Sequence, residues 1–233
     1  MSAALTLALL CAPGFADPAP TPAATADDGT VALTAGEPIA LFDGESLNGW
    51  TAVLADDTDP TTVWSAGDGL LKCTGKPKGY IKTDRQFKNY QLSLKWRWTG
   101  KPGNNGVLVH ATTPNARSVW PKCQEVQLAH QNAGDFWVIG SDIKIPLEGV
   151  PGFEGMVRDR RHLNFVDGAE NPPGEWNQMT VICRGDTITV LVNGQLVNYG
   201  FDSSETEGSV CLQSEGAPIE YKEIVLTPLR AGG

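Results

Sequence analysis

The sequence predicts an all-β protein built as a two-sheet sandwich or jelly roll. Three observations carry that expectation. Short apolar segments alternate with a period of two, turn-forming dipeptides separate them at roughly 8–12-residue spacing, and no long segment repeats apolar residues every third or fourth position. The 26 Gly and 16 Pro supply the turns. With 233 residues and 41% hydrophobic content, the chain can bury one core of its own.

The elements follow in order. Tyr90, Leu92, Leu94, Trp96 and Trp98 alternate with Gln91, Ser93, Lys95 and Arg97, giving a strand with one apolar face. Trp96 and Trp98 therefore belong to the core. Asn104-Asn105-Gly106 turns into Val107-Leu108-Val109-His110. The next strand, Cys123 to Leu128, sends Val126 and Leu128 to one side and Glu125 and Gln127 to the other. Met179 to Cys183, Thr187 to Val192 and Gln195 to Asn198 form a meander, joined at Gly185-Asp186 and Asn193-Gly194, dipeptides that tolerate positive φ. Val210 to Gln213 and Ile219 to Thr227 close the series. Residues 141–175 break it: they carry Pro, Gly and the run Arg158-Asp159-Arg160-Arg161 without alternation. A loop of that length is either a solvated connection or a functional element.

Charge and hydropathy exclude whole classes. Lys plus Arg number 18 against 27 Asp plus Glu, a net charge of -9, and the basic residues form no stripe. Nucleic-acid binding is not expected. No apolar run outside the N-terminus is long enough to span a bilayer. Residues 3–10, AALTLALL, followed by Gly14-Phe15-Ala16, read as a signal peptide (residues 1–16) cleaved before Asp17, although no Lys or Arg precedes the apolar run. Residues 17–38, rich in Ala, Pro, Thr and Asp, read as a disordered linker. The expected setting is periplasmic or secreted, with the folded domain at 39–230. Cys73, Cys123, Cys183 and Cys211 remain after cleavage, an even number that permits two disulfides; the alternative is that Cys183 and Cys211 are small buried residues in strands.

Candidate chemistry is sparse. Glu125 and Gln127 share a polar strand face that could line a sugar groove, and His110 ends a neighbouring strand. Trp50, Trp64, Trp120, Trp137 and Trp176 lie near turns, where an indole can stack on a sugar ring. A conventional glycosidase flanks the bond with two carboxylates. This face offers one, and Asp135 or Glu215 would have to supply the second from another element. No nucleophile elbow, P-loop or dinucleotide fingerprint occurs. No metal ligand is assigned; a divalent ion would need His110, His130 and Glu125 to meet in space.

Several segments in order carry a resemblance. Leu41-Phe42-Asp43-Gly44, Leu47-Asn48-Gly49-Trp50, Gly79 to Thr83, Phe87 to Tyr90, Asn104 to Val107, Glu125 to Leu128, Gly174 to Asn177, Val192 to Gly194, Leu212 to Gly216 and Pro218 to Ile224 resemble the 3-keto-disaccharide hydrolase domain family, also described as 3-keto-glucoside 1,2-lyase/3-keto-2-hydroxyglucal hydratase-like. The resemblance spans residues 39–229. It implies a concanavalin A-like jelly-roll sandwich of two antiparallel sheets, acting on glycosides whose C3 hydroxyl has been oxidised, with an oxidoreductase upstream to make that ketone. The ketone acidifies the C2 proton, so a base removes it and the C1 substituent leaves; water then adds to the 2-hydroxyglucal. Glu125 or His110 is the expected base, and Lys82 or Arg97 the cation for the enolate. Asn105, Gln127, Gln213 and Glu215 would position the sugar, with Trp137 among the indoles stacked on it. A non-catalytic carbohydrate-binding module and an ordinary two-carboxylate glycosidase are the alternatives.

Overall fold

Two antiparallel sheets pack face to face, because nearly every strand of the chain has an apolar face to bury. The structure, a computed structural model, describes residues 33–231. The expected signal peptide at 1–16 and the expected linker through residue 32 lie outside the described residues. In chain order the strands begin with β1 (Leu33–Ala35), β2 (Ile39–Ala40), β3 (Trp50–Leu54), β4 (Trp64–Gly67), β5 (Leu70–Cys73) and β6 (Gly79–Thr83). Next come β7 (Phe87–Lys88), β8 (Tyr90–Trp98), β9 (Gly106–Ala111), β10 (Cys123–Gln127), β11 (Phe136–Ile139) and β12 (Val157–Arg158). The rest are β13 (Arg161–His162), β14 (Asn177–Arg184), β15 (Thr187–Val192), β16 (Gln195–Gly200), β17 (Glu207–Ser214) and β18 (Ile219–Ala231).

The first sheet runs β16-β15-β14-β8-β18-β5-β4, with β1 and β2 also on β18. Residues 33–38, expected in the linker, therefore start the sandwich: Leu33, Thr34 and Ala35 pair with the end of β18. The second sheet runs β12-β13-β11-β10-β9-β17-β6-β3, with β7 on β17. β9 to β13 pair largely with their sequence neighbours, whereas β17 joins β9 and β6 from far along the chain, so non-local pairing completes this sheet.

The period-two reading of β8 holds residue by residue. Tyr90, Leu92, Leu94, Trp96 and Trp98 are buried in the main core and the intervening residues are partly exposed. Val107, Val109, Val126, Phe136 and Leu212 face them from the second sheet. That sheet is also covered on its other face, where Tyr80, Leu108, Val119, Trp120, Cys123 and Ile139 form a second, smaller apolar cluster. All residues of β9 and β10 are consequently buried, polar ones included. Cys183 and Cys211 are free and buried in strands, as the second reading has it, and so are Cys73 and Cys123.

The core assignment predicts a contrast between two leucines. Leu94→Ala empties a fully buried site and should cost about 2–5 kcal/mol of unfolding free energy. Leu196→Ser changes a half-exposed residue and should shift it by less than about 0.5 kcal/mol. Denaturant titration of both variants measures the difference.

Candidate functional site

The covered face of the second sheet holds a pocket of about 280 Å³, lined by polar side chains, two indoles and Ile139. The ladder register explains how it forms. Glu125 of β10 pairs with Leu108 on one side and Trp137 on the other, so it occupies the middle of the sheet. Beyond Gln127, which pairs with Gly106, the turn residue Asn104 closes one end of the pocket together with Lys78 and Glu215. Toward Cys123, which pairs with Ile139, Arg117 and Trp120 close the other. Arg160, from the hairpin between β12 and β13, flanks Trp137.

Glu125 is the group to which the rest of the pocket is arranged. Only 5% of its surface is accessible, and its Oε1 has no hydrogen-bond partner. Gly106 makes room for it. A β-carbon there would stand 2.7 Å from Gln213 Oε1 and 2.8 Å from Glu125 Oε1, so both side chains lie over the bare glycine backbone. Burial pushes the Glu125 carboxyl up to about 8, helped by the nearby Glu215 charge; the Gln213 amide and the Arg160 guanidinium oppose them. A buried carboxyl that exchanges its proton near neutral pH, aimed into a cleft, is equipped for proton transfer.

The surrounding groups are held by identifiable contacts. Lys78 pairs with Glu215 at 3.1 Å on the rim. The Arg160 guanidinium lies over the Trp137 ring, 5.2 Å from its centroid, with its Nε buried and without a hydrogen-bond partner. Gln127 Oε1 accepts from the backbone N–H groups of Leu128 and Ala129, at 3.0 and 2.9 Å, which leaves the Nε2 donor for the pocket. Both amide atoms of the wholly buried Gln213 lack partners beside Glu125.

Of the residues expected from sequence, Glu125, Gln127, Trp137 and Glu215 line the pocket, and Gln213 stands beneath it. Four others do not. His110 has φ of 55° where β9 gains a residue relative to β17, and this bulge turns the ring out of the alternation toward Tyr90 of the opposite sheet, 5.6 Å away and edge-on. Its Nδ1 lies 2.9 Å from the Glu205 carbonyl, and burial holds its pKa down to about 4. Arg97 is on β8 of the other sheet, where it pairs with Glu220 at 2.8 Å and stacks on Trp176. Lys82, opposite Cys211, sits outside the pocket lining. Asn105 is a brace: its Nδ2 donates to Ala217 O and its Oδ1 accepts from Glu215 N, both at 2.8 Å, which fixes the turn carrying Glu215.

The cations that the pocket does contain, Lys78, Arg117 and Arg160, come from loops and turns. Arg160 falls in the run of charges within the long 141–175 connection, and that was its only signal in the sequence. The trio that a metal would need does not meet: His130 lies 3.3 Å from Glu170, and His110 is inside the sandwich. Among the described residues no group of three or more His, Cys, Asp and Glu side chains is arranged to hold a metal. Asp135 is spent on Arg161, whose Nε donates to it at 2.6 Å, and on the Asn164 backbone, so the second carboxylate of this pocket is Glu215.

The raised Glu125 pKa predicts a pH signature in stability. Between its ordinary value of 4.5 and about 8, the folded chain keeps a proton that the unfolded chain releases, so stability falls as pH rises. Relative to Glu125→Gln, the wild type should lose as much as about 5 kcal/mol from pH 4.5 to 8. His110 acts in the opposite sense below 6.5, and that contribution cancels between the two proteins. Denaturant unfolding at pH 5 and pH 8 measures the change; parallel pH curves would show that Glu125 titrates normally.

Similar proteins agree with this architecture. A curated "3-keto-disaccharide hydrolase" from Bacteroides thetaiotaomicron is 30% identical over 172 residues, which cover 67% of this chain and 55% of that protein. The match thus spans about half the length of that relative. A Parabacteroides distasonis structure assigned by name to the glycosyl hydrolases superposes with a TM-score of 0.59 at 21% identity, over 81% of this chain and 92% of that one. The carbohydrate-binding module CBM66 from Bacillus subtilis follows at a TM-score of 0.52 and 12% identity, over 76% and 93%. At these identities the two structures share the fold. Residues 37–227 match the 3-keto-alpha-glucoside-1,2-lyase-like domain, and the chain belongs to that family.

Proposed function

We propose that the chain cleaves 3-keto-glycosides by β-elimination across C1–C2, with water adding back to give net hydrolysis. The observation that carries this reading is one buried carboxyl, Glu125, poised near neutral pH with the Arg160 guanidinium beside it. Abstraction of a proton next to a ketone needs one base and one cation for the oxygen that gains charge. In this reading the Glu125 carboxylate takes the C2 proton and Arg160 holds the enolate oxygen at C3. The C2 electron pair forms the C1=C2 bond as the C1–O bond breaks. The leaving oxygen takes the proton that Glu125 has accepted, which returns Glu125 to its carboxylate. Water then gives its oxygen to C1 and a proton to C2. Trp120 and Trp137 supply surfaces for the sugar rings, and the Gln127 Nε2 donates to a hydroxyl or carbonyl.

The substrate requires an oxidoreductase that converts the C3 hydroxyl to a ketone before cleavage. We further propose a periplasmic or secreted setting, which the apolar residues 3–10 and the small residues Gly14 and Ala16 support. A second reading has an observation of its own. Glu215 shares the pocket with Glu125 and raises its pKa, so an ordinary glycosidase could use protonated Glu125 as acid and Glu215 as its partner.

The sign of one pH profile separates the two readings. As a base Glu125 must be ionised, and kcat/KM on a 3-keto-glucoside should rise through about pH 8. As an acid it must be protonated, and kcat/KM on the unoxidised parent should fall through the same pH. Glu125→Gln should lower kcat on the ketosugar by roughly 10²–10⁴-fold with little change in Kd. Binding of both sugars without turnover by the wild type would leave a carbohydrate-binding module.

A further inference from the structure

The two ends of the pocket differ in charge, and the difference bears on what the leaving group can be. At one end the Lys78 ammonium is matched by Glu215. In the middle Arg160 stands over Trp137 next to Glu125, where it answers the charge of the reacting oxygen. At the other end is Arg117, whose contacts are backbone hydrogen bonds. Its N–H donates to Trp120 O at 3.2 Å and its carbonyl accepts from Trp120 N at 3.0 Å. Residues exchanging both bonds in this way project their side chains to the same side, about 5.5 Å apart at Cα. The guanidinium and the indole are thereby presented together. Trp120 is fixed in place, nearly buried, with its ring 6.4 Å from that of Tyr80.

Among the lining side chains three cations face two carboxylates even with every group ionised, and the exposed Asp159, outside the lining, lies 3.6 Å from Arg160 and not at the Arg117 end. Near pH 7 Glu125 holds its proton most of the time, so the excess approaches two. This occurs in a chain whose net charge is -9, where the overall field disfavours anions. The enolate accounts for one positive charge and leaves Arg117 over. We propose that the Arg117–Trp120 end binds a leaving group that carries an oxyanion, a carboxylate or a phosphate, on a ring stacked against Trp120. The proposal rests on the ketosugar reading above for the identity of the reacting sugar and specifies what is attached to it. A guanidinium matches either oxyanion through paired hydrogen bonds, and an indole beside it accepts any flat ring.

The test uses 3-keto-glucosides with 4-carbamoylphenyl, 4-carboxyphenyl and 4-phosphonophenyl leaving groups. Kinetics on the wild type are paired with calorimetric Kd values on the Glu125→Gln variant. The anionic compounds should be favoured over the carbamoyl compound by about tenfold or more in both readouts, less at high salt. The better of the two anions identifies the group. Arg117→Ala should bring the preference to about one, and Arg117→Lys should restore part of it. Equal affinity for all three, or a preference that survives Arg117→Ala, would overturn the proposal. If none of the three compounds turns over, the ketosugar reading fails, and the Kd comparison still decides this one.

Discussion

The burial of one carboxyl on the covered face of a β-sheet is the constraint around which the site is organised. Glu125 sits at the centre of the second sheet, on a strand with no exposed residue, over a glycine that yields the space its oxygen occupies. Removing a carboxylate from water is costly, and the protein answers by keeping the proton on it to about pH 8. Everything nearby limits that cost without abolishing it. Arg160 is close enough to oppose the shift and Glu215 close enough to reinforce it. A fully paired Glu125 would be a stable and inert ion; a fully isolated one would not ionise at a useful pH.

The scaffold that permits this is a sheet buried on both sides. Its inner face joins the main core through Val107, Val109, Val126 and Leu212, and its outer face is closed over by the loop bearing Val119 and Trp120. Polar groups trapped between need partners, and several have them in the backbone. Gln127 is oriented by two N–H groups, and Asn105 ties Ala217 and Glu215 to the start of β9. Of the buried polar atoms without hydrogen-bond partners, Glu125 Oε1, both ends of the Gln213 amide and Arg160 Nε lie at the pocket, while others, such as Trp96 Nε1 and Tyr221 Oη, lie in the main core. Buried polar atoms without partners carry a free-energy cost, which a ligand bearing hydroxyl groups would lower.

Local pattern made the strands legible in the sequence and made half of the site legible with them. The alternation of β8, the Asn193-Gly194 hairpin and the Glu125/Gln127 face each follow from side-chain period alone. Two kinds of information are missing from such a pattern. Period assigns a residue to a face but not to a sheet, which is how Arg97, correctly placed on the polar face of its strand, belongs to the sheet that does not carry the pocket. A bulge reverses the period without announcing itself, since His110 adopts a positive φ that neither Gly nor Asn marks in the sequence. Lys78, Arg117 and Arg160 lie in turns far apart along the chain and become neighbours only when β6, β9 to β11, β13 and β17 have paired. The run at 158–161 signalled charge in a long loop, but its contact with Trp137 is a product of tertiary structure.

The central claim is that Glu125 removes a proton from carbon, and hydrogen isotopes at C2 report on that step directly. The measurement is NMR of the wild type acting on a 3-keto-glucoside in D2O, paired with the rate on substrate deuterated at C2. The account predicts slower turnover of the deuterated substrate, solvent deuterium at C2 of the product, and loss of both with Glu125→Gln. Cleavage that leaves the C2 hydrogen in place, at equal rates for the two substrates, would contradict it.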